Sequence, residues 1–253
     1  MDYISAGIIA VVEGITEYLP VSSTAHILLT EKALGISSAF ALTFAIFIQG
    51  ASILAIIALY FKKVIKNISL VPKIVLAFLP TMLVGFFLYD IIKNIFLESL
   101  PLVTSALFVG GILILMVDRK NQAEEKDVQN ITYKESFILG LSQLLAFVPG
   151  MSRSGSTIIG GRLARIPRKM IVEFSFLLAI PTILGATVLD LVKTDYSFSS
   201  HEINMLVFGG AVSFITSLFV ARWLLKYLSN HSFKIFGWYR IVLAIFIFLF
   251  FVI

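Results

Sequence analysis

Two short stretches of this chain gather residue types that can move protons, hold a cation and bind an anion. The first is Glu13-Gly14-Ile15-Thr16-Glu17-Tyr18-Leu19-Pro20-Val21-Ser22-Ser23-Thr24-Ala25-His26. The second is Pro149-Gly150-Met151-Ser152-Arg153-Ser154-Gly155-Ser156-Thr157, preceded by Gln143. Glu13 and Glu17 are spaced i, i+4, which puts both carboxylates on one face of a helix. Two close carboxylates in a low-dielectric setting repel, so one takes a proton or both share a cation. A hard divalent ion such as Mg²⁺ prefers such oxygen donors and bridges to phosphate oxygens.

Ser22, Ser23 and Thr24 follow Pro20 and can open a helix, since serine is a favoured N-cap. A helix N-terminus presents free N–H groups and partial positive charge, which together suit an anion. Ser152 and Ser154 stand in the same relation to a second helix start. Arg153 supplies a planar cation that matches phosphate oxygens, with Glu13 or Glu17 as its alternative partner. His26 lies one helical turn after Ser22 and can act as base, acid or phosphoryl acceptor. Arg240 and Gln49 are weaker candidates, and Arg240 could equally snorkel toward the membrane surface.

These residues sit in an apolar chain. Of 253 residues, 58% are hydrophobic and 14% charged, and the mean hydropathy is +0.98. A soluble domain averages about 45–50% apolar and 25% charged. The composition therefore gives a polytopic membrane protein, in which ionisable groups cost several kcal/mol unless paired and mark function by default. The net charge of +5 sits in short loops, which points to membrane orientation and away from nucleic acid. The absence of cysteine removes disulfides and thiolate metal sites. Met1-Asp2-Tyr3 lacks the basic start of a cleavable signal peptide.

The elements that must position the two stretches follow from length. Ile4 to Leu19 covers roughly 24 Å as a helix, short of a ~30 Å hydrocarbon core, and the arm from Ser22 to about Leu34 is shorter still. Two short polar arms with a break between them predict a re-entrant hairpin, tolerated at membrane depth only where protein or a cavity surrounds it. A second hairpin is predicted from about Ser136 to Ala164, broken at Pro149-Gly150. Six full spans complete the chain: Ala39 to Phe61, Ile74 to Ile92, Leu100 to Val117, Met170 to Val192, Ile203 to Leu225 and Ile235 to Ile253. The expected fold is thus all-α: six full transmembrane helices plus two re-entrant helical hairpins in two inverted halves. It forms a single membrane domain over 1–253, with halves 1–117 and 135–253 joined by a solvated cytoplasmic linker at 118–134.

Counting crossings puts fifteen Lys and Arg on the linker side, against Lys32, Lys93 and Lys193 on the other. That bias makes the linker side cytoplasmic and places both termini and the mouth of the first hairpin outside. The hairpins resemble each other when Pro20 is laid on Pro149 and Ser23 on Ser152, with Gln143 one place from Glu13; the reversed halves suggest an inverted repeat. A second similarity has a different offset: Leu79-Pro80-Thr81 with Gly85 and Asp90 resembles Ile180-Pro181-Thr182 with Gly185 and Asp190, and Gly110-Gly111 resembles Gly209-Gly210.

The stretch from Glu13 to His26 looks like the first signature of the undecaprenyl-diphosphate phosphatase family of the bacitracin-resistance type, and Pro149 to Thr157 looks like its second. Ala25 stands where the family usually has glycine. The resemblance spans nearly the whole chain. It implies hydrolysis of a C55 isoprenyl diphosphate to the monophosphate and inorganic phosphate at the plasma membrane, recycling the lipid carrier for cell-wall glycans, with a divalent cation such as Mg²⁺ or Ca²⁺. By matching positions, Glu13 and Glu17 would bind metal or handle protons. His26, Ser22 or Ser23 would attack phosphorus, and Ser152, Arg153 and Thr157 would hold phosphate. The main rival is a transporter that flips a polyprenyl phosphate lipid, since broken segments in reversed halves are also transporter architecture. A purely structural membrane component is the third possibility.

Overall fold

In a computed structural model, residues 1–91, 99–118, 126–193, 198–228 and 231–252 are described. Lys93, Arg119, Lys120, Glu124 and Glu125 lie outside them. Ten α-helices follow one another: α1 (Tyr3–Thr16), α2 (Ser23–Ala33), α3 (Ala39–Lys66), α4 (Leu70–Ile91), α5 (Leu100–Val117), α6 (Tyr133–Ser142), α7 (Arg153–Leu163), α8 (Arg168–Lys193), α9 (Ser200–Leu228) and α10 (Lys234–Ile247). No strand occurs among the described residues. Among the described residues six helices are long and apolar enough to cross a membrane: α3, α4, α5, α8, α9 and α10 with its π-helical extension. The chain is an all-helical, multi-pass membrane protein.

Local chemistry sets the helix starts. Asp2 accepts from the Ser5 N–H at 2.7 Å and caps α1. Ser38 caps α3, Ser99 caps α5, and Thr132 forms a capping box with Glu135 at α6, each satisfying N–H groups that a helix end leaves open. α1 has 14 residues, about 21 Å at ~1.5 Å per residue.

The short helices pack on long ones. α1 lies along α9 and α6 lies along α4; α3 also packs on α9 and on α8, and α5 packs on α10. Two glycines allow the tightest approaches. A Cβ at Gly14 would meet Thr216 of α9, and a Cβ at Gly140 would run into the Ala77 backbone of α4. Close backbone approach matters here because, between helices in lipid, packing replaces the hydrophobic drive. α8 runs through the centre, burying Phe174, Phe176, Leu177, Leu178 and Ala179.

The linker is less solvated than expected. Asp118 is fully buried, where it accepts from Arg168 Nε at 2.8 Å and from the Phe233 N–H at 2.6 Å. Asp127 binds Lys63 at 2.9 Å, and Val128 and Ile131 join the core. A buried carboxylate needs such partners, so the described ends of the linker are anchored to the bundle.

Candidate active site

Each hairpin turns at its break through an unusual serine. Ser22, N-cap of α2, has φ 71°, and Ser152, N-cap of α7, has φ 69°. Side chains rarely adopt this left-handed region. Each serine Oγ accepts from the N–H three residues on, Ala25 at 3.5 Å and Gly155 at 3.2 Å. Ser22 therefore matches Ser152, and the expected pairing of Ser23 with Ser152 is off by one. Pro149 stands three residues before its serine and Pro20 only two, and from the residue that closes the first helix to the serine that caps the second the later connection is four residues longer, taken up by a 3-10 turn at Gln143–Phe147. Glu17 and Gln143 are likewise matched, as the residues that close α1 and α6 three places after Gly14 and Gly140. Gln143 thus corresponds to Glu17, not to Glu13.

The two tips meet. Arg153 Nη2 donates to Glu17 Oε1 at 3.2 Å, and Ser154 Oγ donates to the Leu19 carbonyl at 3.0 Å. The other oxygen of Glu17, Oε2, accepts from the Ser23 hydroxyl at 2.6 Å. Arg153 Nη1 also donates to the Ser175 carbonyl of α8 at 2.8 Å. Charge-assisted bonds in a site this buried are strong and geometrically specific. Glu17, Ser22, Ser23, Thr24, Ser152 and Arg153 line a cavity of about 210 Å³, together with Gln49, Thr81, Gln143 and Thr182.

Other expected site residues lie elsewhere. Arg240 does not face the cavity and does not snorkel. It is 0% exposed, and its donors go to five backbone carbonyls: Leu107 (3.2 Å), Pro20 (3.1 Å), Met151 (2.9 Å), Ala106 (3.3 Å) and Gly150 (2.9 Å). Chain breaks leave carbonyls that no helix satisfies; Arg240 supplies donors to those of Pro20, Gly150 and Met151 and ties them to the Ala106 and Leu107 carbonyls inside α5. It is a clasp on both tips and not a phosphate ligand. Thr157 is also fully buried, donating to Ser154 O at 2.9 Å and sharing a 2.9 Å hydrogen bond with the Ser175 hydroxyl; it is tied to the residue that receives Arg153 and does not line the cavity. Ser154 spends its hydroxyl on Leu19.

His26 lies outside the cavity lining. Its Nδ1 bonds the Ser22 carbonyl at 2.7 Å and its Nε2 the Tyr239 hydroxyl at 2.7 Å. A carbonyl only accepts, so in the neutral ring Nδ1 carries the proton and Nε2 takes the Tyr239 proton. Both nitrogens are occupied, and the ring braces the strained Ser22 turn. Glu13 is fully buried, and neither carboxylate oxygen has a hydrogen-bond partner. It lies in the electrostatic reach of Glu17 and Arg153.

Sequence reasoning missed Ser175 and Tyr239, which no motif marks. It noticed Thr81 and Thr182 only as a repeat. The amide of Gln143 bonds both, at 2.8 and 3.1 Å, so the Pro-Thr similarity reflects two kinked helices converging on one glutamine.

A second cavity, apolar, adjoins the first. It is lined by Leu42, Ile46, Phe78, Met82, Phe86 and Leu189, among others, and shares Gln49, Thr81, Phe147, Thr182 and Ala186 with the polar one.

The family model described as Bacitracin resistance protein BacA matches residues 6–246. The chain belongs to the BacA family. Similar relatives include the undecaprenyl-diphosphatase of Aquifex aeolicus, 44% identical over 95% of each chain, and that of Sulfurihydrogenibium sp., 43% identical over 97% of this chain and 98% of the relative. The undecaprenyl-diphosphatase of Flavobacterium johnsoniae is 39% identical over 97% of this chain and 94% of its own. In this BacA chain, the part matched to the family holds Glu17, Ser23, Arg153 and the apolar groove alike.

Proposed function

We propose that this chain is an integral membrane phosphatase that hydrolyses undecaprenyl diphosphate to undecaprenyl phosphate and inorganic phosphate, recycling the lipid carrier for cell-wall glycan synthesis. One observation carries the proposal: Ser23, Glu17 and Arg153 meet at a polar cavity that opens into an apolar groove, the shape of a diphosphate on a prenyl chain. The hydrolase name borne by the relatives supports it and does not favour the lipid-flipping alternative.

The chemistry follows from the donors and acceptors. Ser23 Oγ attacks the terminal phosphorus, and its proton passes to Glu17, which already accepts it at 2.6 Å. The bond from that phosphorus to the bridging oxygen breaks, and Glu17 delivers its proton to the departing oxygen. Water then attacks the phosphoserine, one proton passing through Glu17 back to Ser23 as phosphate leaves. Arg153 and the N-termini of α2 and α7 neutralise the developing charge, which is how phosphoryl transfer is mainly accelerated. His26 holds the Ser22 turn in place.

A divalent cation fits the donors. The buried, unpartnered oxygens of Glu13 and the carboxylate of Glu17 are hard ligands, and Mg²⁺ typically takes one or two carboxylates plus substrate phosphates. Glu13 and Glu17 would hold it, and when bound it would neutralise phosphate charge.

The two hairpins are re-entrant and the halves inverted. Support comes from the matched pairs Ser22 with Ser152 and Gly14 with Gly140, and from α1 packing on α9 as α6 packs on α4. The bias of Lys and Arg toward the linker side supports a cytoplasmic linker, with both termini and the site's mouth outside. Phosphate release from C55 diphosphate by purified protein in detergent tests the proposal. Release that is abolished by a chelator and by Glu17→Gln is expected; none from the wild type, with or without Mg²⁺, rejects it.

A further inference from the structure

The polar chamber and the apolar groove meet at a neck whose polar members are Gln49 of α3, Thr81 of α4 and Thr182 of α8. Gln143, on the chamber side, donates both amide protons to the two threonines. Its Oε1 is left buried without a partner, in a residue only 1% exposed. An unsatisfied buried amide oxygen is destabilising, and a ligand bearing a donor relieves it. Thr182 gives its own proton to the Leu178 carbonyl. The Thr81 proton and the Gln49 side-chain amide have no acceptor or partner among the described residues. The neck therefore offers two free donors, Gln49 and Thr81, and one free acceptor, Gln143.

We infer that this neck is the subsite for the phosphate that stays on the lipid, and that it recognises that phosphate as a monoester. The inference rests on the proposed phosphatase function. With the prenyl chain in the groove and the terminal phosphorus at Ser23, the inner phosphate falls at the neck. In the diphosphate this inner group is bridged on both sides and has no P–OH. When the bridging bond breaks and Glu17 protonates the departing oxygen, the inner group becomes a monoester. A phosphate monoester has a second pKa of about 6, and a low-dielectric wall favours the singly charged form. That form presents oxygens to Gln49 and Thr81 and one O–H to Gln143 Oε1. A carboxylate in place of this amide would repel both phosphates. The second half thus carries Gln143 where the first carries Glu17: an amide that holds product opposite an acid that moves protons.

The test compares Gln49→Leu, Thr81→Val and Gln143→Leu with wild type for inhibition by C55 monophosphate and by inorganic phosphate, whose single group is held at Ser23 and Arg153. Each variant is expected to weaken monophosphate inhibition about ten-fold or more, the loss of roughly one buried hydrogen bond, with inorganic phosphate inhibition changed by less than about two-fold. Gln49 makes no side-chain hydrogen bond that folding needs, so Gln49→Leu decides if Gln143→Leu fails to fold. Unchanged monophosphate inhibition in Gln49→Leu, or equal loss for both inhibitors, overturns the inference. Direct binding of C55 monophosphate by native mass spectrometry reads the neck even if the wild type releases no phosphate, which would reject the phosphatase function instead.

Discussion

Ser23 and Glu17 are joined by a 2.6 Å hydrogen bond that spans the first hairpin turn. The acid closes α1 and the alcohol opens α2, so the turn itself sets their distance. Removing either group should abolish the first step: Ser23→Ala and Glu17→Gln should each lower kcat by about 10²–10⁴, the usual contribution of a positioned base. Acid-quenched wild-type enzyme should carry acid-stable phosphate of the serine type, absent from Ser23→Ala. An acid-labile phospho-adduct on His26 would transfer the attack to the imidazole.

His26 and Tyr239 should separate into a strong and a weak effect. Tyr239→Phe removes the donor to Nε2 but leaves Nδ1–H on the Ser22 carbonyl, so less than about a ten-fold loss of kcat is expected. His26→Ala frees the strained turn, and a misplacement of about 1 Å at a reacting group can cost 10²-fold. Steady-state kinetics of the two variants checks the order; equal losses would argue against bracing through Nδ1.

Arg240→Met should fail by unfolding and not by weakened substrate binding. It strips donors from three carbonyls at the chain breaks, Pro20, Gly150 and Met151, each unsatisfied buried group costing about 1–3 kcal/mol. Thermal unfolding in detergent should fall well below wild type, whereas KM of the surviving fraction should stay near normal. A stable variant with raised KM would return Arg240 to the phosphate site.

The contact between linker and bundle should be acid-sensitive. Lys63 beside Asp127 holds that carboxyl below its ordinary range. A depressed pKa in the folded state means that the stabilisation is complete above about pH 4, the unfolded value, and disappears as pH falls through the folded value. Asp127 is 42% exposed, so the contribution stays below about 1 kcal/mol. Asp127→Asn should lower the melting temperature slightly at pH 7, and the gap should narrow progressively as pH falls below about 4.

The two breaks and the charged residues that meet across them were legible because ionisable groups stand out in an apolar chain. Ser22 and Ser152 were legible as helix caps, but the offset between hairpins was not, since the 3-10 turn that lengthens the second connection leaves no mark in composition. Arg240 was misread for a physical reason: sequence reports a buried cation, while its partners are backbone carbonyls that any residues could provide. Thr157 and Ser154 were read as ligands by their company, yet their hydroxyls are consumed in holding the tips. The Pro80-Thr81 and Pro181-Thr182 similarity became intelligible only through Gln143, which lies far from both in sequence.

Arg240 grips Pro20 across 220 positions of sequence. During synthesis the Pro20 carbonyl therefore lacks this donor until α10 has emerged. Hydrolytic competence is in this way a late event of biogenesis, and a nascent chain stalled before α10 has the acid, the alcohol and the guanidinium of the site but not the buckle that closes it.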